Sequence, residues 1–359
     1  MPKKSLEKTK RRSSRKKTSK SKKGVQISKI GKYLGILFLV LFCVSVLGIG
    51  LTLKALNLPF ASASGSNSED LKSQDIVVYS LVQLDDFNNQ APYIVSAKII
   101  VLDIADNSVS TFNIEPTTTV DVPGKFGEEP LSNAYALGAA ANSELPRAEG
   151  AYLAMRFLEK ALTLNIDRYI LVDKSASTYL EAASPEGSLL SLVNMDFVSK
   201  LQSSIETNFT LSELHYIHKF ISNSTLMHAN PVNIDTALIS DFAKVDTLIG
   251  DITFNSKITH DGESTTVLNG TTQPGLASHG SRVLNNAGLH VIATSNAGKV
   301  YSESLIIAKN PDSPSVKYIA KFFNISNILP KDSLKTLTEN EIERSDITVI
   351  LGLDIANAL

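Results

Sequence analysis

The sequence predicts an α/β protein. A single transmembrane helix precedes two α/β domains: a mixed sheet with helices, then a small β-α-β-β-α-β two-layer module. Three observations carry this expectation. Residues 33–53 are an uncharged apolar run between Lys32 and Lys54. From residue 75 onward, strand-like and helix-like periodicities alternate. The chain is 359 residues long and 43% hydrophobic, enough to build two cores.

The apolar run reads YLGILFLVLFCVSVLGIGLTL. At 1.5 Å rise per residue it would extend about 31 Å, enough for a hydrocarbon core of ~30 Å. A cleaved signal peptide would have a shorter apolar region and a small-residue cleavage site; the segment LPFASASGS from Leu58 offers only a weak one. The only cysteine, Cys43, lies inside the run, so no intramolecular disulfide can form and the thiol is expected to be buried in the membrane.

Charge divides the chain at the same place. Through Lys54 there are 15 Lys/Arg and one acid, Glu7; of 35 basic and 36 acidic residues in all, 20 and 35 remain beyond it, a net of −15. Residues 1–32 are too charged to bury a core and are expected to be disordered. They read as a positive-inside signal that also contacts anionic lipid, which puts the head in the cytoplasm and the bulk of the chain outside. The head has no element for reading bases, so nucleic acid is not an expected partner. Residues 54–73, with the small polar stretch ASASGSNSE, read as a linker.

Residues 74–258 form the first expected domain. DIVVYSLV (75–82), YIVSAKIIVLDI (93–104) and SVSTFNI (108–114) read as strands, the last two a hairpin turning at Ala105-Asp106-Asn107. LSNAYALGAAA and AEGAYLAMRFLEKALTL have helical spacing; Ala151, Leu153, Phe157, Leu158, Ala161 and Leu162 share one face of the second. DRYILVD (167–173) reads as a strand, and 195–223 and 232–249 as mostly helical.

Chemistry-bearing clusters are sparse. His215 and His218 stand at i,i+3, with His228 as a third nitrogen and Glu213 the only nearby carboxylate; the set lacks the pattern of a metal site. Asp85-Asp86 and Glu128-Glu129 are adjacent pairs, which seldom face one another, and read as solvated loop charges. No Gly-x-Ser-x-Gly elbow occurs.

Residues 262–359 form the second expected domain. STTVLNG (264–270), LHVIATSNA (289–297), SESLIIAK (302–309) and SDITVILGLDI (345–355) read as strands. PGLASHGSRVLNNAG (274–288) reads as a helix stopped by Gly288, with Leu276, Val283, Leu284 and Ala287 buried and Ala277 and Gly280 permitting close packing. SPSVKYIAKFFN (313–324) reads as a helix capped by Ser313 with Pro314 first. Asn269, Gly270, Pro274 and Gly275 connect strand to helix. Gly270 and Gly275 have the spacing of a phosphate loop, but Leu276-Ala277 follow where Lys and Ser/Thr would be needed. The glycines therefore read as turn and cap residues, and the loop keeps a looser candidacy for binding a glycan.

The segments SQDIVVYSLV, AKIIVLDIADNSVSTFNI through Val122-Pro123-Gly124, PLSNAYALGAA and LNIDRYILVD resemble, in order and spacing, the LytR-CpsA-Psr family over about 74–185. Such bacterial envelope proteins attach polyprenyl-pyrophosphate-linked glycopolymers to the cell wall. TTVLNGTTQPGLASHGSRVLNNAGLHVI and the ending SDITVILGLDI resemble the LytR C-terminal domain. The departures are chemical. Where the family has Gly and Asp on its first strand, this chain has Ser80 and Val82; Ala97 replaces an Asp; Glu115-Pro116-Thr117-Thr118 replaces Pro-Arg-Asp-Thr; Ser132 replaces an Asn; and no arginine lies between Arg168 and Arg282. Pyrophosphate needs cationic forks, and a bridging Mg²⁺ needs carboxylates. Val82, Ala97, Pro116 and Thr117 supply neither. The resemblance thus implies a single-pass protein of the bacterial cytoplasmic membrane, non-catalytic and without a cofactor, whose outer part binds wall glycan or an envelope partner. The alternative it implies is an active transferase using Mg²⁺ with displaced ligands.

Overall fold

A computed structural model describes residues 59–61, 71, 74–122, 126–142, 144–174, 204–226, 231–333 and 339–358. The basic head and the apolar run at 33–53, including Cys43, lie outside the described residues, as does most of the linker. Among the described residues no helix is long and apolar enough to cross a membrane. Leu56–Leu359 form one compact unit that holds two large sheets.

The first sheet is built from β1 (Pro59–Ala61), β2 (Ile76–Leu84), β3 (Ile94–Asp103), β4 (Ser108–Ile114), β7 (Arg168–Asp173), β8 (Ile205–Thr210), β9 (Thr225–Leu226) and β10 (Val232–Ile234). A separate hairpin comprises β5 (Thr119–Val122) and β6 (Gly127–Pro130). The large sheet runs β1-β8-β7-β2-β3-β4-β10, with β9 beside β4. At its centre β2 lies parallel to β7 and antiparallel to β3. Strand β2 is apolar almost throughout because both of its faces are covered. Val78, Val82 and Leu84 face α1 (Leu131–Ala141), α2 (Pro146–Leu162), α4 (Thr236–Ser240) and α5 (Phe242–Thr253). Val77 and Tyr79 face α3 (Leu211–Asn223). The β3–β4 hairpin turns at Asn107, whose φ of 51° is a conformation that Asn tolerates.

The predicted apolar face of α2 is buried in full: Ala151, Leu153, Phe157, Leu158, Ala161 and Leu162 all belong to the core. Helices α1 and α2 approach through glycine. A Cβ on Gly138 would lie 2.3 Å from the Glu149 carbonyl oxygen, and one on Gly150 would lie 2.9 Å from the Tyr135 ring.

The structure adds detail to three expectations for this half. Within the expected helical stretch 195–223, Ile205–Thr210 is a strand paired with β7. Its alternation is hard to see because Glu206 and Thr207, both polar, are also buried. In 232–249, Val232–Ile234 is an edge strand beside β4, and the helix beyond it breaks at Asp241, which caps α5. Inside the expected linker, Pro59–Ala61 pairs with β8 and Leu71 is fully buried.

After α6 (Ser256–Asp261), the second sheet comprises β11 (Ser264–Asn269), β12 (His290–Asn296), β13 (Leu305–Ala308), β14 (Ile328–Pro330) and β15 (Ile347–Leu351), in the order β12-β11-β15-β13-β14. Helices α7 (Leu276–Asn286) and α8 (Pro314–Phe322) pack on one face. Ser313 caps α8 by accepting from Val316 N, and Pro314 is its first residue, as the sequence implies. The expected β-α-β-β-α-β order is incomplete: β14 is added, and the last predicted strand stops at Leu351. Gly352 donates to Ser304 Oγ and Asp354 receives the Ser304 and Ile355 amides, which turns Leu353–Ala358 into a helix, α9. Strand β11 runs parallel to both its neighbours while β13 is antiparallel to β15, so the sheet is mixed.

Polar contacts dock the two sheets' helices. Arg282 of α7 grips Asp246 of α5 with two hydrogen bonds, of 2.8 and 2.9 Å, and its guanidinium lies 4.2 Å over the Phe242 ring. Asn286 donates to Asp246 and to Thr163, and Thr163 donates to Asp246. These partners hold the Asp246 carboxyl below its usual range against the opposing effect of burial. Lys321 of α8 reaches the buried Asp167 at 2.9 Å.

Two predictions follow from this packing. Gly138→Val should destabilise the protein by about 1–3 kcal/mol through overpacking at the α1–α2 crossing, measured by urea unfolding. His279 on α7 is the second case. Burial, then the positive charges of Arg282, Lys160 and Arg156, push its pKa down to about 4. The unfolded chain would protonate it near 6.5, so its contribution to stability is complete above that pH and is lost as pH falls towards 4. Buried Glu159, whose pKa is raised by burial, acts in the opposite sense. Its effect cancels when wild type is compared with His279→Gln. The difference between the two stability profiles should grow by about 2–3 kcal/mol between pH 7 and pH 4.

Candidate functional site

In an α/β sheet, ligands gather beyond the carboxyl ends of the strands. Here the central parallel pair, β2 and β7, ends at Leu84 and Asp173. Beyond these ends lies a cleft of about 460 Å³ lined by Asp85, Asp86, Asn88, Arg147, Asp173, Lys174 and Ser204. The 85–93 loop is shaped by its own carboxylates. Asp85 accepts from Tyr93 N at 2.9 Å and from Asn89 Nδ2, and Asp86 accepts from Asn88 N at 2.8 Å. Arg147, near the start of α2, lays its guanidinium 4.6 Å over the Phe87 ring. Beneath, the Tyr169 hydroxyl donates to the buried Glu206 at 3.4 Å. Burial keeps the nearby Tyr135 phenol protonated, with Arg147 lowering its pKa and Glu206 and Tyr169 raising it further.

Three carboxylates and two cations thus share the rim, a net negative charge that disfavours a pyrophosphate. Among the described residues, no group of three or more His, Cys, Asp or Glu side chains is placed to hold a metal ion.

The positions at which the sequence departs from its resemblance fall close together. Val82 and Ala97 are directly opposite one another across β2 and β3, and Ala97 is opposite Ile114 across β3 and β4. All three are at most 2% exposed and lie in one apolar core. Glu115 to Thr118 follow Ile114 as a turn. The carbonyls of Pro116 and Thr118 accept the Ser132 and Leu131 amides, satisfying donors at the start of α1. Thr117 is exposed, and its carbonyl accepts from Thr119 Oγ1. Ser80, fully buried, donates to the Met155 sulfur of α2. The row is a packed floor: aliphatic side chains and helix-capping carbonyls.

In the second sheet, Asn269 spends its side chain on its own loop, accepting from Thr271 N at 3.0 Å and donating to the Gln273 carbonyl at 2.7 Å. Gly270 lies against the last strand, donating to the Leu351 carbonyl and accepting from Tyr301 N; a Cβ there would meet that Leu351 oxygen at 2.9 Å. Pro274 is exposed, and Gly275 precedes α7 with a φ of 83°. His215 and His218 are exposed on α3; Glu213 beside them is committed to Arg168 and to capping the helix; His228 lies outside the described residues. Glu129 accepts from Asn133, and Glu128 pairs across its hairpin with Asp121.

Sequence reasoning passed over Arg147, Asp173, Lys174 and Ser204. Asp173 carried a usable signal, since it ends a strand already recognised. Arg147 is far from the other cleft residues in the chain, and only folding of α2 against the sheet brings it there.

Comparison with known proteins adds the following. Residues 264–354 match the family model described as LytR cell envelope-related transcriptional attenuator. None of the curated proteins matches the chain. Solved structures similar to it include the transcriptional regulator yvhJ from Bacillus subtilis, at 14% identity over 51% of this chain and 100% of that one, TM-score 0.36. Others are B. subtilis TagT, at 12% identity over 55% and 99%, TM-score 0.34, and B. subtilis TagV, at 12% identity over 51% and 99%, TM-score 0.34.

A carboxylate placed in the packed row should find no partner there. Val82→Asp is expected to cost about 3 kcal/mol or more, the penalty of an uncompensated buried charge, against a smaller loss for Val82→Thr; thermal or urea unfolding of both variants checks this.

Proposed function

We propose that this chain is a single-pass protein of the bacterial cytoplasmic membrane whose outer part binds wall glycan or an envelope partner and carries out no glycopolymer transfer. The match of residues 264–354 to a cell-envelope family supports the setting. The observation that carries the non-catalytic reading is the row Val82–Ala97–Ile114. The family resemblance places a magnesium-binding and pyrophosphate-binding set around it, and here it is aliphatic and buried. The uncharged run at 33–53, flanked by a basic head, supports the anchoring and the orientation. The loop of Asn269, Gly270, Pro274 and Gly275 remains part of the proposed binding face.

A second reading has one observation in its favour. Asp85, Asp86 and Asp173 line the same cleft as Arg147 and Lys174, which places carboxylates and cations together where an active transferase with displaced ligands would work. The two readings separate in one experiment. Full-length protein is incubated with a polyprenyl-pyrophosphate-linked glycan, Mg²⁺ and purified cell wall. The proposal expects the protein to sediment with the wall and to release no lipid phosphate above background. Lipid-phosphate release that is lost in Arg147→Ala would establish the second reading instead.

A further inference from the structure

A second cavity, of about 320 Å³, opens at the opposite end of the β2–β7 pair, where the turn preceding β7 meets α8. It lies between elements of the two sheets, a usual location for ligand pockets, and its volume is at the lower end of the ~300–1,000 Å³ range typical of them. We propose that this cavity is the glycan subsite and takes a neutral sugar ring, an N-acetylhexosamine or hexose residue.

The lining determines the class of ligand. Ile76, Val78, Leu164, Ile258 and Val283 give the lining apolar surface. Asn165, Asn255 and Tyr318 add uncharged polar groups to it. A pyranose has the same duality, with C–H faces and a girdle of hydroxyls that both donate and accept. The charged residues balance: Asp75 and Asp167 against Lys317 and Lys321. Asp167 is already satisfied by Val78 N at 2.9 Å and Lys321 Nζ at 2.9 Å. An ionic ligand would have to unbalance this set, whereas a neutral one leaves it intact. The Tyr318 hydroxyl has no hydrogen-bond partner among the described residues, and its ring stacks on Phe322 at 6.3 Å. Burial, with Asp167 nearby, raises its pKa, so the phenol keeps its proton and offers one donor and one acceptor to a sugar hydroxyl.

This inference rests on the glycan-binding reading above, and the test keeps the two apart. Full-length protein in detergent micelles is titrated with N-acetylglucosamine, glucose and inorganic phosphate, followed by saturation-transfer NMR, and is sedimented in parallel with purified cell wall. Wild type should bind a neutral sugar and the wall but not phosphate. Tyr318→Phe removes one hydroxyl and keeps the stack. It should weaken sugar binding about fivefold, the equivalent of one hydrogen bond of ~1 kcal/mol. Val283→Phe should fill the cavity and abolish binding, with circular dichroism and the melting midpoint as checks on folding. If wild type sediments with the wall and Tyr318→Phe binds sugar and wall as tightly, the cavity assignment falls while the glycan-binding function stands. If wild type neither sediments nor binds sugar, both fall. Binding of phosphate in preference to the sugars overturns the neutral-ligand assignment.

Discussion

Seven consecutive residues, Thr163 to Tyr169, hold this molecule together, because almost every polar group among them is tied to a different element. Thr163 ends α2 in a left-handed conformation, φ 51°, and aims its hydroxyl at Asp246 of α5, where Asn286 of α7 joins it. Ile166 N donates to Glu159 of α2. Asp167 receives Val78 N of β2 and Lys321 of α8. Arg168 is 3% exposed and pairs with Glu213 at 2.7 Å, fixing α3 on the far face of the sheet. Tyr169 donates its amide to Asn208 Oδ1 and its hydroxyl to Glu206, both on β8.

Buried polar groups of this kind are costly when unpaired and specific when paired. The segment's bonds to α3, α5, α7 and α8 hold those helices against the sheet, and Thr163, Leu164, Asn165 and Asp167 line one of the two cavities. Its amino-terminal half joins α7 and α8 to the sheet and thereby shapes the cavity lined by Tyr318. Its continuation, β7, runs to Asp173 and the acidic cleft at the other end. One strand therefore runs between two cavities of different lining: a cleft with three carboxylates and two cations, and a cavity of mixed apolar and polar lining whose charges balance.

Much of the fold was legible in the sequence, for identifiable reasons. The hairpin at 94–114 and the capped helix at 314–322 are local: alternation, Asn107, Ser313 and Pro314 specify them within a few residues. Strand Ile205–Thr210 is not legible in the sequence because Glu206 and Thr207 are buried by pairing with distant residues, which local periodicity cannot register. Of the candidate-site residues, Asp85 and Asp86 were visible as loop acids, but their sharing a rim with Arg147 and Lys174 was not. The same limit applies to Arg282. In the chain it is only the first arginine after Arg168; in the fold it grips Asp246.

What the sequence determined alone is whatever depends on near neighbours and composition: the basic head, the uncharged run, the strands and caps, and the presence of Val82, Ala97, Pro116 and Thr117 where the resemblance implies Asp and Arg. What only the tertiary structure decided is which distant residues meet. It put Val82 opposite Ala97 in one apolar row, joined Asp167 to Lys321 across 154 positions, and opened a cavity against Tyr318. The physical reason is that side-chain identity and local period are written residue by residue. Burial and pairing arise only when strands far apart in the chain share hydrogen bonds and exclude water together.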